Sequence, residues 1–227
     1  MSKKIFFSLI WLGFITYAFF IAPPDQPGNF DLIKNLLAAE WKGINPAIVA
    51  AFNIMGIWPF VYSAVLFADG RGQKVPAWPF AVLCIPVGSF GLLPYLIFRQ
   101  PNPRFIGKKN LFLRIFDARL LGIILTITAL ILSIYGLVKG DWIDFLHQWQ
   151  TNRLIHVTVL DFCLLHLLFP AFLGDDMARR NWENPVLFWV FSLIPLFGPL
   201  FYLCLRPPLK EEVDAGKITS KAEVLQN

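Results

Sequence analysis

The sequence has 227 residues, of which 56% are hydrophobic and 15% are charged, with a net charge of +5 at pH 7. Soluble domains carry about 25% charged residues, so this composition excludes an ordinary soluble domain and indicates an integral membrane protein. The basic residues lie beside apolar segments rather than in a nucleic-acid-binding pattern. We therefore expect the lipid bilayer, and no nucleic acid, as a partner.

Six apolar segments follow one another along the chain. Four are predicted transmembrane helices, because each is close to the roughly 20 residues that a span needs: residues 5–22, 46–67, 115–138 and 153–172. The segments at 79–98 and 186–205 are also apolar but are interrupted by proline and glycine. The first segment resembles a signal peptide, yet its apolar run is longer than a usual signal core, so we expect it to be retained.

Two shorter segments have apolar residues at helical spacing and polar residues between them. The first follows the first span and contains Phe30, Ile33, Leu37 and Trp41. The second follows the third span and contains Trp142, Phe145, Leu146 and Trp149. This pattern predicts two amphipathic helices that lie in the membrane interface. The fold class is thus an all-α membrane protein with six hydrophobic segments.

The chain contains an internal repeat at an offset of 107 residues. Residues 45–101 and 152–208 align without a gap and share twelve identical positions, seven of them in the last twelve pairs. The repeat predicts two related halves, at 1–101 and 102–208, followed by a polar C-terminal tail at 209–227. Internal repeats are frequent in membrane transporters, although they are not confined to them.

The repeat does not show whether the two interrupted segments cross the membrane. Two topologies can be compared by how they distribute the 20 Lys and Arg residues between the two sides. If all six segments cross, ten basic residues lie on each side. If residues 79–98 and 186–205 enter and return on one side, that side holds sixteen basic residues and the other holds Lys34, Lys42, Lys139 and Arg153. The second distribution fits the positive-inside rule, so we favour re-entrant segments, with the basic connector and C-terminal tail in the cytoplasm.

The interruptions are expected at Pro86, Gly88, Gly91 and Pro94 in the first half and at Pro195, Gly198 and Pro199 in the second. Residues Val190–Arg206 around the second interruption resemble the N-terminal membrane segment of cardiolipin synthases of the phospholipase D type. That family's His-x-Lys-x4-Asp catalytic motif is absent from this sequence. The resemblance therefore implies a membrane segment and no phospholipid-transfer chemistry.

A few polar residues lie inside apolar segments and are the candidate functional residues. Asp161 is central in the fourth span, where a carboxylate costs several kcal/mol unless it faces protein, water or a ligand. It is either part of a proton or cation site or a paired structural residue. Asn53 lies near the matching position of the other half and is a second candidate. His156 and His166 are either candidate ligands for chlorophyll or haem, or residues that only pack and hydrogen-bond. We find no metal-site spacing and no catalytic constellation, so no catalytic residue is assigned.

Two motifs carry a family resemblance. Asn53–Pro59 and Lys74–Phe80 resemble motifs of a little-characterised integral membrane protein family of cyanobacteria and plant plastids. The resemblance implies a photosynthetic organism and the thylakoid or inner envelope. We expect the thylakoid or plasma membrane of a cyanobacterium as the location, and consider chlorophyll, carotenoid or lipid as ligands. Two functions are then expected: a non-enzymatic accessory, assembly or scaffold protein within a larger membrane complex, or a small transporter or channel with a polar site around Asp161 and Asn53.

Overall fold

A computed structural model describes residues 2–105 and 107–211, and over these residues the chain is entirely helical, with no strand. Most of the predicted tail, residues 212–227, lies outside the described residues. The helices are α1 Lys3–Thr16, which continues as a π-helical turn at Tyr17–Ile21, α2 Asn29–Leu37, α3 Pro46–Met55, α4 Trp58–Asp69, α5 Trp78–Val87, α6 Ser89–Phe98, α7 Leu111–Asp117, α8 Arg119–Lys139, α9 Trp142–Thr151, α10 Arg153–Leu168, α11 Pro170–Arg179, α12 Pro185–Leu193 and α13 Phe197–Leu205.

Within the described residues, four helical segments are long and apolar enough to cross a membrane: Lys3–Ile21, Pro46–Asp69, Arg119–Lys139 and Arg153–Arg179. Four spans were expected in these places, but the last one is longer than the sequence indicates. Phe169 keeps helical backbone angles and Pro170 begins α11, a position where a missing N–H costs nothing. The sequence predicts a polar turn at Asp175–Asn184, but the first five residues of that stretch, Asp175 to Arg179, are the final part of α11.

The third span also begins differently from the prediction. A span from residue 115 was expected, whereas α7 ends at Asp117 and α8 begins at Arg119, with extended backbone at Ala118 between them. Asn110 caps α7 by accepting a hydrogen bond from the Leu113 backbone N–H. The separate helix α7 therefore precedes the span.

Polar contacts between separate segments are concentrated at the two opposite ends of the spans. At one end, which we call the far end, Asn45 donates to the Asp141 carbonyl at 2.7 Å and Arg153 donates to the Pro23 carbonyl at 3.0 Å. The other end, which we call the basic end, holds the ends of α4, α6, α11 and α13 and the start of α8. Its buried charged residues are Asp69, Asp117, Asp176, Arg179, Arg180 and Arg206.

Both predicted amphipathic segments form helices, α2 and α9, near the far end. Leu36 of α2 is buried against Ile48 of α3 and Ile155 of α10, with Phe145 of α9 packed beside them. Only part of the apolar surface of each helix is packed on the spans: Leu36 of α2 is buried, and Phe145 and Trp149 of α9 are partly buried. Phe30, Leu37, Trp142 and Leu146 of the predicted faces are exposed in the structure.

Each interrupted segment consists of two short helices that pack against each other, α5 with α6 and α12 with α13. A helix of ten residues is roughly 15 Å long, which is about half of the hydrocarbon core of a bilayer. The chain reverses at Gly88, where φ is 54° and ψ is −127°, and between Ile194 and Leu196, where Leu196 has a φ of 57°. We call these two helix pairs the first and second hairpins.

Two of the predicted interruptions, Gly88 and Pro195, lie at the observed reversals. The others do not: Pro86 lies within α5, Gly91 and Pro94 lie within α6, and Gly198 and Pro199 lie within the first turn of α13. The glycines permit close packing instead, since a Cβ atom on Gly91 would lie 2.8 Å from the backbone of Leu83 on the opposite arm. Gly198 approaches the backbone of Phe191 in the same way.

Pro94 has a distinct consequence within α6. It has no N–H to donate to the carbonyl of Phe90, four residues earlier, and that carbonyl needs another donor. Trp11 of α1 supplies one, because its indole N–H donates to the Phe90 carbonyl at 3.1 Å. Phe14 of α1 also stacks on the ring of Phe90, with 4.4 Å between ring centres. The proline thus creates the polar contact that attaches α1 to the first hairpin.

Candidate functional site

Asp161 lies in α10 with only 5% of its surface exposed. One carboxylate oxygen accepts a hydrogen bond from the Ser89 backbone N–H at 2.9 Å and a second from the Ser89 hydroxyl. Ser89 is the first residue of α6, so the carboxylate caps that helix at the reversal of the first hairpin. The partial positive charge of a helix N-terminus favours an anion at this place.

Gly88 makes this contact possible. A Cβ atom at residue 88 would overlap the Asp161 carboxylate, and the positive φ of this residue also disfavours any other side chain. The carboxylate thus has a partner within the protein, as a charge in a span requires. The arrangement joins α10 of the second half to the hairpin of the first half.

Asn53, the second candidate of the polar site, makes a different kind of contact. Its side-chain amide donates to the carbonyl of Val49 at 2.8 Å, one turn earlier in α3. No hydrogen bond joins Asn53 to Asp161 within residues 2–105 and 107–211. The two candidates of the predicted site are therefore engaged separately, Asn53 within its own helix and Asp161 at the hairpin.

His156 has partners at both ring nitrogens. Nδ1 lies 2.8 Å from the carbonyl of Trp149, which only accepts, so Nδ1 donates. Nε2 lies 2.8 Å from the hydroxyl of Tyr17. The imidazole also stacks on the rings of Trp149 and Tyr17, with ring centres 4.9 Å and 5.8 Å away. These contacts occupy the positions through which His156 would bind a pigment.

His166 is different because its Nδ1 is buried and has no hydrogen-bond partner among the described residues. Trp58 lies beside it, with 6.4 Å between ring centres, and the buried indole N–H of Trp58 has no partner either. Buried polar atoms in folded proteins are nearly always satisfied by protein, water or ligand. His166 is therefore the histidine of this chain whose surroundings favour an additional ligand or an internal water.

The basic end contains a set of buried ion pairs that was not predicted from the sequence. In the first half, Asp69 at the end of α4 accepts hydrogen bonds from Arg99 at 2.6 Å and 2.9 Å and from the Tyr95 hydroxyl at 2.8 Å. Tyr95 and Arg99 are at the end of α6. The contact therefore ties the base of the first hairpin to the end of the second span.

The second half repeats this arrangement at an offset of 107 residues. Asp176 accepts a hydrogen bond from the Tyr202 hydroxyl at 2.6 Å and from Arg206 at 3.2 Å. Arg180 adds a further ion pair at 2.9 Å. The base of the second hairpin is thus held to the end of the fourth span by the same three residue types. We call the two sets together the charge clamp: Asp69, Tyr95 and Arg99 with Asp176, Tyr202 and Arg206.

Two further residues join the two sets of the charge clamp. Arg179 lies 3.0 Å from Asp69 through one terminal nitrogen and 3.4 Å from Asp176 through the other, and its side chain is completely buried. Asp175 forms an ion pair with Arg99 and accepts from the Asn102 backbone N–H at 3.0 Å. The two halves are thus linked by charge–charge contacts in both directions.

Asp117 extends the network to α7. Its carboxylate pairs with Arg180 at 2.6 Å and with Lys109 at 2.9 Å, and it accepts from the Leu209 backbone N–H at 3.0 Å. Burial alone would raise the pKa of Asp117, but the charge of Arg180 and its hydrogen bond outweigh burial and hold the pKa below its usual value. Arg180 stays charged, because its acidic neighbours outweigh burial and raise its pKa.

The repeat contained a signal for the charge clamp. Asp69/Asp176, Tyr95/Tyr202 and Arg99/Arg206 are identical pairs at the repeat offset. A carboxylate, a phenol and a guanidinium are complementary hydrogen-bonding groups, so their joint repetition indicates a contact. Arg179 and Asp175 have no counterpart in the first half, and nothing in the sequence marks them as links.

No family model matches, no curated protein matches, and no solved structure matches. Among residues 2–105 and 107–211 no group of three or more His, Cys, Asp or Glu is placed to hold a metal ion. The three cysteines, Cys84, Cys163 and Cys204, are unpaired thiols. The charge clamp and the Asp161 cap are consequently the polar features from which a function must be argued.

Proposed function

We propose that the protein is a non-enzymatic integral membrane accessory, assembly or scaffold protein, which binds lipid, pigment or other membrane subunits. The observation that carries this proposal is the charge clamp. Its Asp and Arg side chains are buried and paired with one another, so they hold the helices in one arrangement. A frame stabilised in this way is suited to presenting fixed outer surfaces to partners.

The outer surface of α8 supports the same proposal. Its exposed apolar residues recur every three or four positions and form a continuous stripe along the span: Leu120, Ile123, Ile127, Leu130, Ile134 and Leu137. The opposite face packs on α3 and α13. Gly136 is close to Ala50 of α3, and Gly122 is close to the backbone of Leu203 of α13. The exposed stripe suits either lipid chains or a helix of another subunit.

The topology within this proposal has two parallel halves whose hairpins enter and leave the membrane at the basic end. It is supported by the ion pair between Asp69, before the first hairpin, and Arg99, after it. Gln73, before the first hairpin, and Gln100, after it, also form two hydrogen bonds with each other, at 2.6 Å and 3.0 Å. With this topology the sequence assigns sixteen of its 20 basic residues to one side of the membrane, which we take to be the cytoplasmic side.

A photosynthetic membrane, either thylakoid or plasma membrane of a cyanobacterium, is part of the proposal. Its support is the resemblance of Asn53–Pro59 and Lys74–Phe80 to the family of cyanobacteria and plant plastids. Chlorophyll or carotenoid is the pigment class considered, with His166 as the favoured ligand because its Nδ1 has no partner in the described part of the chain. An absorbance spectrum of the purified protein tests this part directly.

Isolation in a mild detergent tests the main proposal. A photo-crosslinking amino acid at Ile127, on the exposed stripe of α8, is expected to give adducts of discrete mass with membrane proteins in native membranes. The same amino acid at Ala129, on the buried face of α8, is the matched control and should give none. A monomer that yields no adduct from the stripe and copurifies with no protein, lipid or pigment would refute the proposal.

A small transporter or channel around Asp161 and Asn53 is the second candidate. The observation that favours it is the carboxylate at the reversal of a hairpin, since transporters often bind ions at the ends of interrupted helices. Flux of protons, cations and common metabolites into proteoliposomes tests it. Asp161→Asn should abolish a real flux while Asn110→Asp, outside the spans, should not. Equal flux in all three proteins, or none, would remove this candidate.

A further inference from the structure

A cleft of about 480 Å³ lies at the basic end, beside the start of the third span. It is bounded by the connector before α7, by the junction of α7 and α8, and by the chain after α13. We call it the basic cleft, and its lining residues are Lys109, Arg114, Asp117, Ala118, Arg119 and Pro208. None of these residues belongs to the charge clamp.

The basic cleft has an excess of positive charge. Three of its lining residues are basic and one is acidic, and the acidic one, Asp117, is already paired with Lys109 and with the buried Arg180. Arg114 and Arg119 are exposed and form no ion pair within residues 2–105 and 107–211. Two arginines that line one cleft and have no carboxylate partner among the described residues are suited to a phosphate group.

The surroundings of the basic cleft are apolar. Leu111, Phe112 and Ile115 of α7 are exposed, at 71%, 64% and 50% of their surface, and Leu120 at the start of α8 is exposed at 64%. Apolar residues beside cationic residues at the end of a span are the surroundings of a lipid whose headgroup lies at the membrane surface. A soluble anion would make no favourable contact with these apolar residues.

We propose that the basic cleft binds an anionic phospholipid, with the phosphate between Arg114 and Arg119 and the acyl chains along the apolar residues of α7 and α8. The site deepens the proposed function and rests on it, because it names the lipid class that the scaffold holds at its basic end. Lys109 has a supporting part: its ammonium group is held by Asp117 and retains two further N–H donors.

Retention of lipid by the full chain tests the proposal. The detergent-solubilised protein is titrated with phosphatidylglycerol or with phosphatidylcholine, and lipid adducts are measured by native mass spectrometry. The variant R114Q/R119Q removes both guanidinium groups of the basic cleft. The matched control K74Q/R104Q removes two exposed basic residues at the same end but outside the cleft.

Phosphatidylglycerol is expected to bind in preference to phosphatidylcholine, and R114Q/R119Q should weaken its binding about tenfold or more, because each basic residue near the surface contributes severalfold. K74Q/R104Q should weaken it by less than about twofold, because a localised site does not depend on distant charge. If both variants weaken phosphatidylglycerol binding equally, the lipid is attracted by the overall positive charge of the surface rather than by the cleft. If neither variant weakens binding, the lipid does not bind in the cleft. Each outcome overturns the proposal.

An arm with inorganic phosphate distinguishes the two sources of a phosphate group. If millimolar phosphate displaces phosphatidylglycerol, or binds equally well without it, the site is for a soluble anion and the lipid proposal fails. Failure here leaves the scaffold function intact, since the crosslinking on α8 does not depend on Arg114 or Arg119. Conversely, absence of crosslinked partners leaves a measured lipid preference unchanged.

Discussion

Arg179 and Asp69 form an ion pair of 3.0 Å in which both side chains are completely buried. Arg179 ends α11 in the second half and Asp69 ends α4 in the first half, so the pair joins the two halves at the basic end. The same guanidinium group reaches Asp176 at 3.4 Å. One side chain thus bridges two buried carboxylates that also have Arg99 and Arg206 as partners.

We predict that Arg179→Met destabilises the protein by about 3–5 kcal/mol, because both Asp69 and Asp176 lose a cation in a buried site. The measurement is unfolding in mixed micelles of increasing sodium dodecyl sulfate content. Arg104→Met, which removes an exposed arginine from the same end, is the control and should change stability little. Equal stability of the two variants would contradict a linking role for Arg179.

Tyr95→Phe and Tyr202→Phe should each destabilise the protein by about 1.5–3 kcal/mol, the usual value of a hydrogen bond to a charged group. Their hydroxyl groups donate to Asp69 and Asp176 in equivalent places, so we expect effects of similar size. Unfolding curves measure both, with Tyr135→Phe as the control. A large effect of one variant and none of the other would show that the two sets of the clamp are not equivalent in energy.

The lowered pKa of Asp117 should make the stability of the protein depend on pH. Its pKa is lower in the folded protein than in the unfolded chain, so the stabilisation is present above the unfolded pKa and is lost as pH falls through the folded pKa. The stability advantage of the native protein over Asp117→Asn should therefore be full at pH 7 and shrink below about pH 4. An advantage that stays constant with pH would contradict the ion pair with Arg180.

Gly88→Ala should destabilise the first hairpin, by about 1–3 kcal/mol, through its backbone angles alone. The overlap of the new Cβ atom with the Asp161 carboxylate adds to this cost. In Asp161→Ala the overlap is removed, so the same glycine substitution should cost less there, and a double-mutant cycle measures the difference. Additive effects would mean that the carboxylate does not lie at the reversal.

Cysteine labelling tests the proposed topology. After replacement of Cys84, Cys163 and Cys204 by alanine, single cysteines are placed at Lys74, Arg104 and Gln148. A maleimide that cannot cross membranes should react at Lys74→Cys and Arg104→Cys from one face and at Gln148→Cys from the other. Reaction of Lys74→Cys and Arg104→Cys from opposite faces would show that the first hairpin crosses the membrane.

Local pattern explains which elements were predictable. Runs of about 20 apolar residues predicted the spans, and helical spacing of apolar residues predicted α2 and α9, since both depend on neighbours along the chain. Asp175 to Arg179 was expected to be a turn because charge usually ends an apolar helix. The helix continues because Asp69 and Asp176 supply carboxylates for Arg179 in the folded protein.

The candidate site was predictable only in part. The cost of a carboxylate within a span marks Asp161 as a residue that needs a partner, whichever partner it finds. That the partner is Ser89, 72 residues earlier, follows from the packing of α6 on α10. His156 and His166 look alike in sequence, yet one has partners at both nitrogens and the other has a buried Nδ1 without one.

Composition and local periodicity by themselves predicted an all-helical membrane protein, and the described residues form helices and no strand, with four helices long and apolar enough to cross a membrane. The twelve identities at a fixed offset indicated the two halves. Only the tertiary structure decided which charges meet, where the chain reverses, and where a basic cleft remains open. The reason is physical: apolar burial depends on the residue and its near neighbours, whereas an ion pair depends on the distance between side chains from separate helices.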